Sequence, residues 1–513
     1  MRAAIFLLTA CSVSNPSASR PEPLAPLPGP GPVETQRFRD AETCGQCHLA
    51  DETTPVLHDG TGANVAPVLL WRSSLMALAA RDPYYLAVFA EELAKAPANK
   101  DSIETLCTRC HSPAASEELA SSHQHITFDD LTASTAPEAL LARGGVTCTL
   151  CHQIEPGNLG EESSFSGGFK TGYQRKIYGR YLNPVTDPMQ LIVNYTPTLG
   201  THIEDSGLCA TCHTVMVGDV LEQATYLEWR SSTYAPMQPC QSCHVPTVDS
   251  ANHAISTQIS RFPQGLGVRQ PVGKHVFVGG NSYVLSLLAD AVDWSGANIP
   301  AAELTASAAR DDEHLRTAAR LSVADVHREG TTLVVTVRVE NKTGHKLPTG
   351  YPSRRMWLHV TAGSFESGED PAPGQPHRDT ISSAGEAQVW EAVLVDASGK
   401  PTHRALDAKR YGKDDRILPA GFAPSTADRV RTNPVGTDGD PSFVAGRDDV
   451  TYRIDGVAVG AQITIELLFE STHMDIVEAI DSSNTPAATR FVDMARAHPI
   501  TPVVMATLSA SAP

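Results

Sequence analysis

The sequence has no apolar run long enough to cross a bilayer, few aromatic residues, no net positive charge and no cysteine after position 243. Each lack excludes something. A spanning helix needs about 20 consecutive apolar residues, and the N-terminal stretch Ala3 to Leu8 is far shorter, so no segment reads as a membrane helix. With 58 acidic against 40 basic residues the formal charge is −18. Nucleic-acid phosphates would be repelled, whereas a basic protein partner would be attracted. At 6% aromatic content, with 37 Gly and 37 Pro, a loop-rich segment has little from which to build a large side-chain core. The cysteine-free second half can hold neither disulfide nor thioether.

Ten of the 11 cysteines fall into five copies of one pattern, C-x-x-C-H. They are Cys44/Cys47/His48, Cys107/Cys110/His111, Cys148/Cys151/His152, Cys209/Cys212/His213 and Cys240/Cys243/His244. Two cysteines three apart place both sulfurs on one side of a short turn. There they can add across the vinyl groups of one haem, and the next histidine meets the iron as proximal ligand. Zinc sites also use C-x-x-C pairs, and exported proteins form disulfides, but neither explains a histidine after every pair. The pattern therefore predicts five covalent haems c.

The sixth iron ligand decides between closed electron-transfer sites and open ones that bind substrate. The ranked candidates are His202, His275 and His345, with Met76 for one site. His202 lies just ahead of Cys209, and His275 sits in Gly273-Lys274-His275-Val276-Phe277, both in segments too polar to need His for packing. His58, His123, His125 and His253 are weaker candidates.

The fold expected is α+β. Residues 1–11 read as a lipoprotein signal: Met1-Arg2, the apolar stretch, then Leu8-Thr9-Ala10-Cys11 as a lipobox with Cys11 acylated. Residues 12–37, rich in Pro and Ser, read as a tether. Residues 38–300 form a loop-rich, mainly helical pentahaem domain. Ala66 to Ala80 is expected as a buried helix, and Asp82-Pro83 caps another running from Tyr84 to Lys95. A linking helix is expected over 301–320. Beyond it, Leu333, Val335, Val337 and Val339 alternate with outward residues, as do Met356, Leu358, Val360 and Ile463, Ile465, Leu467. This predicts an antiparallel β-sandwich over 321–513. Trp71-Arg72-Ser73-Ser74 and Trp229-Arg230-Ser231-Ser232 read as a duplicated element.

Five C-x-x-C-H sites with a W-x-x-S-x-H/M element resemble the exported multihaem cytochromes c related to the hydroxylamine oxidoreductase and tetrahaem cytochrome group. Within it, His202 to His213 is similar to a subgroup's HI-x-x-S-x-L-C-x-x-C-H, and Glu228 to His244 to its E-W-x-x-S … C-Q-S-C-H. Asn341 to Gly350 reads N-x-T-G-H-K-x-P-T-G, which the subgroup carries in a C-terminal β-rich domain. The last residue of W-x-x-S-x-H commonly ligates a haem; here it is Met76 in one copy and Tyr234, a departure, in the other. The resemblance implies that His345 reaches from a loop of the sandwich to a haem. It also implies that Lys346, Arg354 and Arg355 pair with propionates.

The function expected is electron transfer in an exported cytochrome, periplasmic or on the cell surface. It would be lipid-anchored to a membrane, the outer one favoured by Ser12, and would exchange electrons with redox partner proteins. The alternatives are an oxidoreductase acting on a small nitrogen or sulfur compound at one open haem, and a filament-forming conduit subunit. Homo-oligomerisation is left open.

Overall fold

The computed structural model describes residues 20–51 and 53–513. The expected signal peptide, Cys11 and most of the tether's first half lie outside the described residues.

The first half is a set of short helices joined by long loops, with two small sheets. These are the parallel pair β1 (Lys176–Gly179) and β2 (Thr196–Leu199), and the hairpin of β3 (Val215–Val217) and β4 (Val220–Gln223). Every C-x-x-C-H lies on or at the end of a helix: Ala41–His48, Lys100–His111, Cys148–Cys151, Ser206–His213 and Cys240–His244. Helical spacing of three puts both cysteines of a pair on one face. Three of these helices start at a side-chain cap, Asp40, Thr147 and Asp205 accepting from Thr43, Leu150 and Gly207 backbone N–H groups.

Asp82 caps the helix Pro83–Lys95 by accepting from the Tyr84 and Tyr85 amides, as its sequence predicts. The helix expected over Ala66 to Ala80 is shorter, Pro67–Arg72, and turns follow to Arg81. The Ser74 hydroxyl donates to the Trp71 carbonyl at 2.7 Å and helps to close the chain there. The duplicated element does the same: Thr225–Arg230 stops where the Ser232 hydroxyl donates to the Trp229 carbonyl at 2.8 Å. Each Trp indole N–H reaches a distant carbonyl, Val146 for Trp71 and Gln238 for Trp229. The sequence repeat is a structural repeat.

The linking helix runs Ala301–Leu315, and β5 (Ala319–Glu329) begins at once, so the strand region starts slightly earlier than 321. One sheet orders β5, β6 (Thr332–Asn341), β12 (Arg447–Ile454) and β9 (Thr380–Ile381). The other orders β11 (Arg410–Asp414), β10 (Val389–Val395), β7 (Arg355–Ala362), β13 (Gln462–Glu470) and β14 (Val503–Ser511), with β8 (Phe365–Ser367) on β7. Pairing is antiparallel except β9 with β12. Alternate residues of both sheets, among them Val335, Val337, Leu358, Val360, Ile463 and Ile465, fill the space between them.

Two features of the C- and N-terminal segments differ from expectation. The helices Met474–Asp481 and Pro486–Ala497 leave the sandwich and pack Val477, Ile480, Phe491 and Val492 against Ala87 of Pro83–Lys95. Residues 20–37, expected as part of a free tether, form a strap bound to the domain. Leu27 and Val33 are buried in the first core. Backbone groups in its first half are taken, Leu24 N–H by the Pro486 carbonyl and Leu27 N–H by the Trp294 carbonyl. Arg37, 2% exposed, pairs with Glu117 and Glu118.

Candidate haem-binding cavity

All five C-x-x-C-H turns open onto one continuous, mainly apolar cavity of about 1220 Å³, and all five proximal histidines are on its wall. The ten thiols are free. Burial raises the Cys151 thiol to about 12 and holds Cys107 up as well.

Four of the five histidines are oriented the same way. The Nδ1–H groups of His48, His111, His152 and His244 donate to the carbonyls of Ile259, Ala79, Tyr178 and Val278 at 2.7, 2.8, 2.6 and 2.7 Å. A carbonyl only accepts, so this fixes the tautomer and leaves each Nε2 lone pair free for a metal. Burial lowers all four imidazoles, His111 to about 4, and so favours the neutral, ligating form. Tyr85 stacks on the His111 ring at 3.7 Å and 3°, fixing its plane. His213 is the exception: its ring is on the cavity wall, burial lowers it to about 4, and its Nδ1 has no partner among the described residues.

Two further histidines face this set. His275 lies 6.3 Å from His152, ring centre to ring centre, at 26°, and His345 lies 6.5 Å from His244 at 21°. Two metal–nitrogen bonds of about 2 Å plus the ring radius at either end give roughly this separation. Nδ1–H of His275 donates to the Gly273 carbonyl at 3.0 Å, and that of His345 to the Lys346 carbonyl at 2.8 Å. Both are lowered to about 4, mainly by burial. The residues therefore fit haem at these two sites, where His152 with His275 and His244 with His345 would hold the iron.

The other candidates are placed differently. Met76 is on the cavity wall, its backbone carbonyl taken by Val146 N–H at 2.9 Å. His202 is not on the wall; it lies near enough to His152 for their charges to interact, but its Nε2 is spent on the Ile154 carbonyl at 2.9 Å. Of the weaker candidates, His125 bonds Glu104 at 3.0 Å, and the His253 side chain is 79% exposed. His58 donates to the Val56 carbonyl and His123 adopts a left-handed backbone in a turn; neither lines the cavity. His314 and Met189 do line it. No sequence signal marked them: His314 sits in the last turn of the linking helix, where a histidine ordinarily complements the dipole.

Of the three cations expected at propionates, Arg354 alone is on the wall. Lys346 is fully buried with its Nζ on Asp414 at 2.6 Å, and Arg355 pairs with Glu470 at 2.8 Å. Both are consumed inside the sandwich and its loops.

The five turns are not arranged in chain order. Cys148 lies close enough to Cys44 to perturb the ionisation of its thiol, as Cys212 does to Cys110 and Cys240 to Cys209. Cys151 is also close enough to Cys212 to feel its charge. The first site thus adjoins the third, the third adjoins the fourth, and the fourth adjoins both the second and the fifth.

No known protein family matches the chain by sequence, and no curated protein does. By structure the chain is similar to a penta-heme cytochrome c552 from Thermochromatium tepidum, at 15% identity and a TM-score of 0.53, over 93% of this chain and 99% of that one. The two share a fold across nearly their whole lengths.

Proposed function

We propose that the chain is a multihaem cytochrome that transfers electrons through five covalently attached haems c. The observation that carries this is the convergence of five C-x-x-C-H turns on one cavity, with four proximal imidazoles held in the ligating tautomer and two matched by a second imidazole at the spacing one iron requires. The penta-heme cytochrome of the same fold supports the cofactor and its number.

When bound, each haem supplies a one-electron iron couple. The chain's residues do the rest. The cysteines tether, and carbonyl acceptors at Nδ1 orient the imidazoles and raise their basicity. The apolar wall keeps water from the sites. The close approaches Cys44 to Cys148, Cys151 to Cys212 and Cys209 to Cys240 support a route from the first site through the third and fourth to the fifth, with the second as a branch.

The proposal includes export and a lipid at Cys11, supported by the Leu8 to Cys11 sequence, and redox partner proteins at the membrane surface. Intact mass and low-temperature electron paramagnetic resonance on the purified protein test it: five haem additions and at least two low-spin ferric signals are expected, and a bare polypeptide sinks it.

A second reading, an oxidoreductase acting on a small nitrogen or sulfur compound, is favoured by one observation at the fourth site. His213 lacks both an acceptor at Nδ1 and an opposed imidazole among the described residues. A high-spin signal that responds to carbon monoxide or nitrite and disappears in His213→Ala would select this reading.

A further inference from the structure

Glu222, on β4, is buried at 8% exposure, lines the cavity and has no hydrogen-bond partner for its carboxyl among the described residues. Nothing in the electron-transfer reading uses it, and a buried carboxyl without a donor is costly in its ionised form. We propose that Glu222 takes up a proton when the haem tethered at Cys107 and Cys110 is reduced, and releases it on oxidation. The proposal rests on the haem reading.

Its surroundings offer its carboxylate no compensating charge. From the helix Pro83–Lys95 come Tyr84 and Glu92, with Glu91 beyond them; from Lys100–His111 comes Cys107, with Glu104 behind it. From the sandwich come Tyr351, in a loop, and Tyr411, on β11, with His403 and Arg404 on the far side of Glu91 and Glu92. The neighbouring acids are already satisfied. Glu91 is bonded to His403 at 2.7 Å, Glu92 to Arg404 at 2.6 Å, and Glu104 to His125 and the Phe128 amide at 3.0 Å each. The Tyr351 hydroxyl donates to the His403 carbonyl, and that of Tyr411 to the Leu221 carbonyl. Arg404, the cation of this group, is spent on Glu92 and Asp407. Glu222 is therefore the one carboxyl here whose charge no neighbour answers. Burial, with Glu92 close by, raises it to about 7.

A ferric iron carries one more positive charge than a ferrous one, and in a low-dielectric site that charge favours the carboxylate. The balanced step is ferric haem plus one electron, Glu222 carboxylate and one proton, giving ferrous haem and Glu222 carboxylic acid. The electron comes from a one-electron donor protein and the proton from solvent.

The test is a spectroelectrochemical titration of the purified holoprotein between about pH 5 and about pH 9, in the wild type and in Glu222→Gln. In the wild type one haem component should lose potential as pH rises, by up to about 59 mV per unit for a one-electron, one-proton couple. In Glu222→Gln that component should be pH-independent and sit at the higher potential, as if permanently protonated. Infrared redox-difference spectra of the wild type should show a carboxylic C=O stretch on reduction, absent from the variant. A variant that keeps the slope overturns the proposal, as does a wild type with no carboxylic signal. Failure of the haem reading is separate: it shows as missing haem mass and absorbance before any titration begins.

Discussion

The Glu228 carboxylate, on the helix that carries Trp229, accepts the backbone N–H of Lys346 at 3.1 Å. It also accepts the Thr349 hydroxyl at 2.6 Å and pairs with Arg416 at 3.1 Å. Two motifs far apart in sequence, E-W-x-x-S and N-x-T-G-H-K-x-P-T-G, thus meet as one joint. Tyr234 strengthens it by donating to the Lys342 carbonyl at 2.8 Å. Gly344 is required there, because a Cβ would come within 2.9 Å of the Trp229 ring. The joint holds the loop from which His345 faces His244.

Removing Glu228 should therefore cost both stability and ligation. Arg416 keeps Asp414, at 2.7 Å, so Glu228→Ala should destabilise by about 3 kcal/mol, the low end for a broken buried pair. Denaturant unfolding measures that cost. Spin-state spectroscopy should also show the His244 haem losing part of its low-spin population, because His345 is no longer held. A variant that unfolds earlier with its low-spin signals unchanged would show that the joint does not position His345.

The proposed iron ligands make a sharper contrast. His275→Ala and His345→Ala should each convert one low-spin ferric haem to high-spin, leaving five haems attached. His202→Ala should leave the paramagnetic resonance spectrum unchanged, because its Nε2 already serves the Ile154 carbonyl. A lost low-spin signal in the His202 variant would reverse this assignment.

The contrast between His202 and His275 shows what the sequence could convey. The C-x-x-C-H turns and the alternating strands of the sandwich were legible, because local spacing decides both. So was the helix after Asp82, whose cap is local. Distal ligands were legible only as candidates, since a polar Gly-rich context describes His202 and His275 equally, whereas the fold puts only His275 on the cavity wall. The strap over residues 20–37 was misread for a related reason. Its binding rests on backbone groups and on Leu27, Val33 and Arg37, too few and too irregular to make a periodic pattern. The helices over 474–497 went unnoticed because they follow strands and pack on the other half.

The proposed lipid at Cys11 makes a prediction independent of the fold. Cys11→Ser should release the protein from membranes into the soluble fraction with its haem content intact, and mass spectrometry of the wild-type N-terminal peptide should show an acylated Cys11. Equal membrane retention of variant and wild type would remove the lipobox from the account.

The sandwich carries its own pH dependence, centred on a buried imidazole between carboxylates. Burial alone would lower His377, but Asp415 at 3.0 Å on Nδ1 and Asp440 at 2.9 Å on Nε2 outweigh it and hold the group at about 9. A histidine raised in the folded state stabilises fully below its unfolded pKa of about 6.5, and that contribution is lost as pH rises through the folded value. Asp448, raised by burial to about 7, also disfavours the folded state as pH rises, but its penalty is complete once it is ionised in both states. The interval from about pH 7 to about pH 9 therefore reports mainly on His377. Unfolding temperature should fall across this interval in the wild type, and the fall should be largely absent in His377→Gln, which keeps hydrogen bonding without the titrating charge. The variant should also be less stable at about pH 5, where the wild-type imidazolium is almost fully formed in both states and only the folded one has Asp415 and Asp440 around it. Identical pH profiles for the two proteins would mean that the three carboxylates, not the imidazole, set the stability of this core.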